Sequence, residues 1–172
     1  MKKNILRLIS DGHTLILPAS EGSRLICDAK DTFLSGIDDD FIGWGLDVPG
    51  IATPETPVQV YEMIRSSNFM NIFKALPGKW SQKWLSQHQF IDFCETLPNW
   101  LIQSWYGALI LIKDDENKLI NENKPADNLV VVHVNMLSNG LSVSLNRLDD
   151  GNVWGGKHRV RVVSPKLTPL VE

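Results

Sequence analysis

The stretch LVVVHVNMLSNGLSVSLNRL (residues 129–148) constrains the fold more than any other part of the chain. Asn139-Gly140 is the dipeptide that best tolerates the positive φ angles of a two-residue type I′ turn. The runs on either side alternate apolar and polar residues with period two. With that turn, Val134 faces Leu145 and Met136 faces Val143, while Asn135 meets Ser144 and His133 meets Asn146 on the opposite face. Turn chemistry and alternation agree, which specifies an antiparallel hairpin with one apolar and one polar side. WYGALILI before it and HRVRVV after it are further β runs, so residues 105–164 read as an antiparallel β region followed by a tail at 165–172. The polar link KDDENKLINENKPADN (113–128) reads as a surface excursion.

The first half has other periods. In LRLIS-DG-HTLIL the Asp-Gly pair predicts a hairpin with Leu6, Leu8, Leu15 and Leu17 on one side, and SRLIC predicts a third short strand. TPVQVYEMI carries a helix-start signature: Thr56 as N-cap, Pro57 at the first position and Gln59 closing a capping box. Val58, Tyr61 and Ile64 then form one face, and Phe69, Ile72, Phe73 and Leu76 another, with a break expected at Ser66–Asn68. Ser86 and Gln89 form a second capping box ahead of a stripe of Phe90, Phe93, Cys94 and Leu97, with Leu85 placed to staple onto Phe90. PNWLIQSW predicts one more short helix. The expectation is a single α+β domain over 1–172: a hairpin and loop region (1–52), a helical region (53–104) and the β region. An antiparallel sheet of about four to six strands, a C-terminal meander plus the N-terminal hairpin, would pack one face against two to four helices.

Composition excludes more than it nominates. The chain has 172 residues, 43% hydrophobic and 22% charged, which is ordinary for a globular domain. A net charge of −3 lacks the basic footprint of a nucleic-acid coat. Cys27 and Cys94 are too few for a disulfide framework and read as free thiols in a reducing compartment. Arg7 and Asp11-Gly12 interrupt the N-terminal apolar run, which argues against a signal peptide, and no run approaches the ~20 apolar residues of a membrane span. A cytoplasmic protein without a membrane partner is expected. Neither G-x-G-x-x-G, a P-loop, H-E-x-x-H nor G-x-S-x-G is present, so no cofactor and no catalytic residue is nominated.

Three constellations remain. GIDDDFIGWGLDVPG (36–50) offers Asp38 and Asp40, two apart, as hard oxygen ligands for a divalent cation. The competing readings are a turn anchored by Phe41, Ile42, Trp44 and Leu46, and a recognition loop. The polar side of the C-terminal hairpin carries His133, Asn135, Ser142, Ser144 and Asn146, and parity could add Arg159 and Arg161, an arginine pair suited to a carboxylate or phosphate. Its competing reading is a solvated sheet face, with Tyr106 or Trp105 as the nearest aromatic platforms. Trp80 and Trp84, one helical turn apart, would make an aromatic patch if exposed. The expected function is a non-enzymatic domain that binds a protein partner or another copy of itself. The alternatives are a small-molecule or phosphate-binding protein using the arginine face, and a metal site at Asp38 and Asp40.

Overall fold

Ala108–Lys113 (β5) holds no polar residue before its last position, and a strand without alternation must be covered on both faces. The computed structural model, which describes residues 3–101 and 107–168, puts β5 inside an eight-stranded mixed sheet. The other strands are β1 (Leu6–Leu8), β2 (Leu15–Leu17), β3 (Gly36–Ile37), β4 (Thr56–Met63), β6 (Leu129–Leu137), β7 (Gly140–Arg147) and β8 (Arg161–Pro165). The α-helices are α1 (Asp40–Gly43), α2 (Phe69–Lys74) and α3 (Gln87–Thr96). The strand order is β1-β4-β8-β5-β6-β7-β3, with β2 also on β4. Pairing is antiparallel except at β5–β8 and β3–β7.

Each face has its own core. Ala108, Ile110 and Ile112 meet Phe90, Phe93 and Cys94 of α3 on one side. Leu109 and Leu111 meet Phe69, Ile72 and Phe73 of α2 on the other. The α+β class stands, but the sheet is larger than expected, mixed rather than antiparallel, and covered on both faces rather than one. No helix among the described residues is long and apolar enough to cross a membrane.

The helix-start signature at Ser86 and Gln89 holds, and the expected break at Ser66–Asn68 contains a cap of its own. Asn68 caps α2 by accepting the Asn71 N–H at 3.0 Å, and Ser86 and Gln89 exchange the two capping-box bonds at 3.1 and 3.0 Å. TPVQVYEM does not follow its signature, because it is β4. Val58 and Val60 fall on the α3 side and Tyr61 and Met63 on the α2 side, so the period is two. Pairing on both flanks overrides the Thr-Pro start signal.

With β4 in that place, the N-terminal hairpin disappears. Leu6 pairs with Met63 and Leu8 with Tyr61, then Leu15 with Val58 and Leu17 with Thr56. β1 and β2 thus lie end to end along one edge of β4. Asp11-Gly12 is the loop between them, and the Ser10 hydroxyl accepts the Val60 N–H at 2.9 Å in the gap. The SRLIC segment forms no strand; it leads into a 3-10 turn at Ile26–Asp28.

The C-terminal hairpin forms with its register slid by two residues: Val134 pairs with Val143, Met136 with Leu141, Asn135 with Ser142 and His133 with Ser144. An even slip leaves every side chain on its expected face. Ser138-Asn139 make the turn and Gly140, at φ 126°, opens β7, a conformation closed to other residues. The expected meander ends at β7. From there the chain crosses back over the α2 side, and β8 joins β5 on its free flank, parallel to it. PNWLIQSW begins with a 3-10 turn at Pro98–Trp100; its last part, through Trp105, and the following Tyr106 lie outside the described residues.

Gly107 (φ 50°) meets the Val134 carbonyl where a Cβ would stand, whereas Gly12 (φ 78°) faces open space. Gly12→Ala should therefore cost about 1–2 kcal/mol, the left-handed penalty alone. Gly107→Ala should cost clearly more, and urea unfolding of the two variants measures the difference.

Candidate functional site

The nominated residues separate once placed on the sheet. Asp38 spends both carboxylate oxygens on main-chain N–H groups: Oδ1 accepts from Asp40 at 3.0 Å and Oδ2 from Leu145 at 3.1 Å. It thereby continues the β3–β7 pairing beyond Ile37 and starts α1. Asp40 opens that helix. Among the described residues no group of three or more His, Cys, Asp or Glu side chains is arranged to hold a metal ion. Phe41 and Leu46 are buried and anchor the loop, Trp44 is half-buried, and Ile42 points outward.

The structure does not gather the arginines with the polar row. Arg161 shares the α3 side with Val163, donates to the Asn99 carbonyl at 3.1 Å, and lies across from Glu62, which also pairs with Arg7. Arg159 is exposed in a left-handed conformation, φ 49°. His133, Asn135, Ser144 and Asn146 lie on the α2 side. That side is no solvated face at His133, which is buried with Trp154 set edge-on at 4.6 Å; the other three are half-buried.

Trp80 and Trp84 do not share a helical face either. Trp80 begins a 3-10 turn (Trp80–Gln82), and Trp84 lies past its end, bridged to Leu111 of β5. Each serves as a platform for a buried lysine. The Lys83 ammonium sits 4.6 Å from the Trp80 ring and donates to Phe73 O at 3.0 Å. The Lys113 ammonium sits 4.7 Å from the Trp84 ring and donates to Glu116 O at 3.1 Å. Burial pulls the Lys83 amine below the usual lysine range, with the Glu122 carboxylate opposing.

The arrangement with the clearest chemistry was not among the nominated residues. Where β5 ends, residues 113–118 turn back toward the Trp44–Pro49 segment, and a cleft of about 330 Å³ lies between them. Asp114, Asp115 and Glu116 line it together with Trp44, Val48, Pro49 and Gln87, and so do Lys113 and Lys118. Glu116 folds its carboxylate against Gly50, at a spot where any Cβ would overlap it, and draws a hydrogen bond from the main chain of Ile51. Asp114 Oδ1 and Glu116 Oε1 are buried without a hydrogen-bond partner. Burial, the leading cause at both, raises the two carboxyls above the usual range. Main-chain hydrogen bonds and the Lys113, Lys118 and Arg147 charges oppose it in part. Arg147 also stacks on Trp44, 3.8 Å from the ring centroid, and so fixes the wall of the cleft.

The link expected as a loose excursion is therefore tied down. Asp114 N–H donates to Asn128 O at 3.0 Å, and Glu122 accepts the Trp80 and Ser81 N–H groups at 2.8 and 2.9 Å. The signal available in the sequence was acids placed directly after an all-apolar strand, where the first turn has to lie against the core's rim.

Comparison with protein-family models, characterised proteins and solved structures gives no match.

Two outcomes follow from this geometry. Asp38→Ala removes an acceptor for two main-chain N–H groups and should cost about 1–3 kcal/mol, whereas Asp40→Asn should be close to neutral; denaturant titration reads both. A carboxyl raised in the folded state contributes stability that is fully present below its unfolded value, near about 4, and lost as pH rises through the folded value. Asp114→Asn/Glu116→Gln should accordingly stabilise the protein at neutral pH, with the gain shrinking as pH falls toward 4 in pH-dependent melts.

Proposed function

We propose that the protein is a binding module whose cleft between Trp44–Pro49 and the end of β5 takes a small organic cation, an amine or a guanidine. The observation that carries this reading is that two residues lining one cleft, Asp114 and Glu116, each hold a carboxylate oxygen, Oδ1 and Oε1, that is buried and receives no hydrogen bond within the protein. A buried polar atom without a partner costs about 1–3 kcal/mol, so a ligand that donates N–H groups recovers energy the empty cleft forgoes. An ammonium or guanidinium adds charge assistance and opposes the burial that raises both carboxyls. Val48, Pro49 and the Trp44 edge offer the apolar wall against which a short carbon chain can lie. Raised carboxyls in a cleft are a recognised mark of functional sites, which adds to the same reading.

Thermal unfolding with butylamine, 1,4-diaminobutane and guanidinium, against butanol as the uncharged control and magnesium and calcium as inorganic cations, tests the proposal. An amine at about 100 times its dissociation constant stabilises by about 2.7 kcal/mol. In a domain of this size that raises the melting temperature by about 5–10 °C. The shift should be absent with butanol, lost in Asp114→Asn/Glu116→Gln, and smaller at pH 5 than at pH 8, because protons compete for the same oxygens. Equal shifts in the variant, or none with any organic cation, would sink the reading.

A further inference from the structure

A second surface, independent of the cleft, lies at the β3 end of the sheet. β3 is two residues long and is the last strand on that side, so α1 and the segment before β3 form the rim instead of more sheet. There Leu34 and Ile42 are 69% and 60% exposed, and together with Phe33 and Ile37 they line a groove of about 550 Å³. Leu34 lies against Gly140, where a Cβ would come within 3.2 Å of it, and Gly140 pairs with the exposed Leu137 of the hairpin. The apolar surface thus continues from the groove onto the hairpin tip. Scattered exposed leucines are ordinary, but a continuous strip around a concavity marks a surface that is covered in use.

The charge around the groove says what covers it. Asp28, Asp38 and Asp39 line it against a single Lys30, and none of the three aspartates takes part in an ion pair among the described residues. Asp38 lines the groove wall while its two oxygens hold the main chain of α1 and β7. Asp28 and Asp39 are exposed on the rim. Apolar anchors in the floor and unpaired carboxylates around them are complementary to a segment that carries apolar side chains between basic ones.

We infer that the groove bounded by Leu34, Ile37 and Ile42 is a docking surface for a protein segment with apolar side chains flanked by lysine or arginine. The apolar side chains fill the groove and supply most of the affinity, while Asp28, Asp38 and Asp39 set the preference for positive flanks and make association weaker at high salt.

A random-peptide display selection on the intact protein, counter-selected against Ile42→Ser, tests this with no partner assumed. Ile42 and Leu34 are exposed enough that serine at either position should leave the melting temperature nearly unchanged, which circular dichroism verifies. Selected peptides should carry apolar residues between Lys or Arg. By fluorescence anisotropy they should bind Leu34→Ser or Ile42→Ser at least about tenfold more weakly than wild type. Asp28→Asn/Asp39→Asn should weaken binding several-fold and flatten its salt dependence. Selection of acidic or uncharged peptides, or full binding to both serine variants, overturns the inference. So does concentration-dependent self-association in sedimentation that Ile42→Ser abolishes, because the groove would then be covered by a second copy of the chain.

Discussion

The structure depends on the burial of β5 and its neighbours on both faces. A sheet whose central strands read ALILI and LVVV cannot leave either side to water, so the chain must supply two covers. α3 and the segments around Phe33, Phe41 and Leu46 provide one; α2 and the return segment bearing Trp154 provide the other. Burying each of the phenylalanines in these covers is worth about 1.5–3 kcal/mol, which makes the layers mutually dependent. It also decides where a site can be. With both faces occupied, open surface of functional shape is left at the ends of strands and at the sheet's edges, and the cleft and the groove lie at one of each.

What the sequence disclosed was local. Ser86 with Gln89 was readable because the cap and the Phe90 stripe sit within a dozen residues of each other. The 129–148 hairpin was readable for the same reason, and even its register error preserved the faces. The failures were non-local. Thr56–Met63 carries a legitimate helix start, and only its pairing with β1, β2 and β8 makes it a strand. The hairpin reading of 6–17 failed along with it, since β1 and β2 need β4 as their common partner. β8 returns to β5 and not to β7, a choice made by the free flank of a strand some fifty residues earlier.

The polar residues followed the same logic. His133 alternates correctly with Val132 and Val134, so parity placed it on the side opposite them; parity could not say that Trp154 would close over it. Arg161 lies on the α3 side, away from that polar row, because β8 pairs with β4 and β5 and does not extend the meander from β7. Trp80 and Trp84 were assigned to a helix that is only a 3-10 turn, and their role as platforms for Lys83 and Lys113 depends on where β5 and α2 stand. Asp114 and Glu116 carry no sequence signal of burial, since a run of acids in a polar link reads as solvated. Their burial comes from the Trp44–Gly50 segment, which arrives from about seventy residues away in sequence.

That segment completes the stretch 36–50, in which Asp38 and Asp40 suggest a cation site. Its residues divide the work by position. Phe41 and Leu46 bind it to the α3-side core, and Asp38 welds its start to the β7 edge. Between those fixed points, Asp39 and Ile42 project into the groove, while Trp44 and the residues up to Pro49 wall the cleft. Arg147 joins the two halves: it ends β7, stacks on Trp44 and lowers the electrostatic cost of a charge on Asp114. A loop fastened at Asp38, Phe41 and Leu46 presents two surfaces from fixed points, which lowers the ordering cost of binding at either. Asp38, one of the two aspartates that suggested a metal ligand, is thus the one whose oxygens are already committed, to the main chain of α1 and β7.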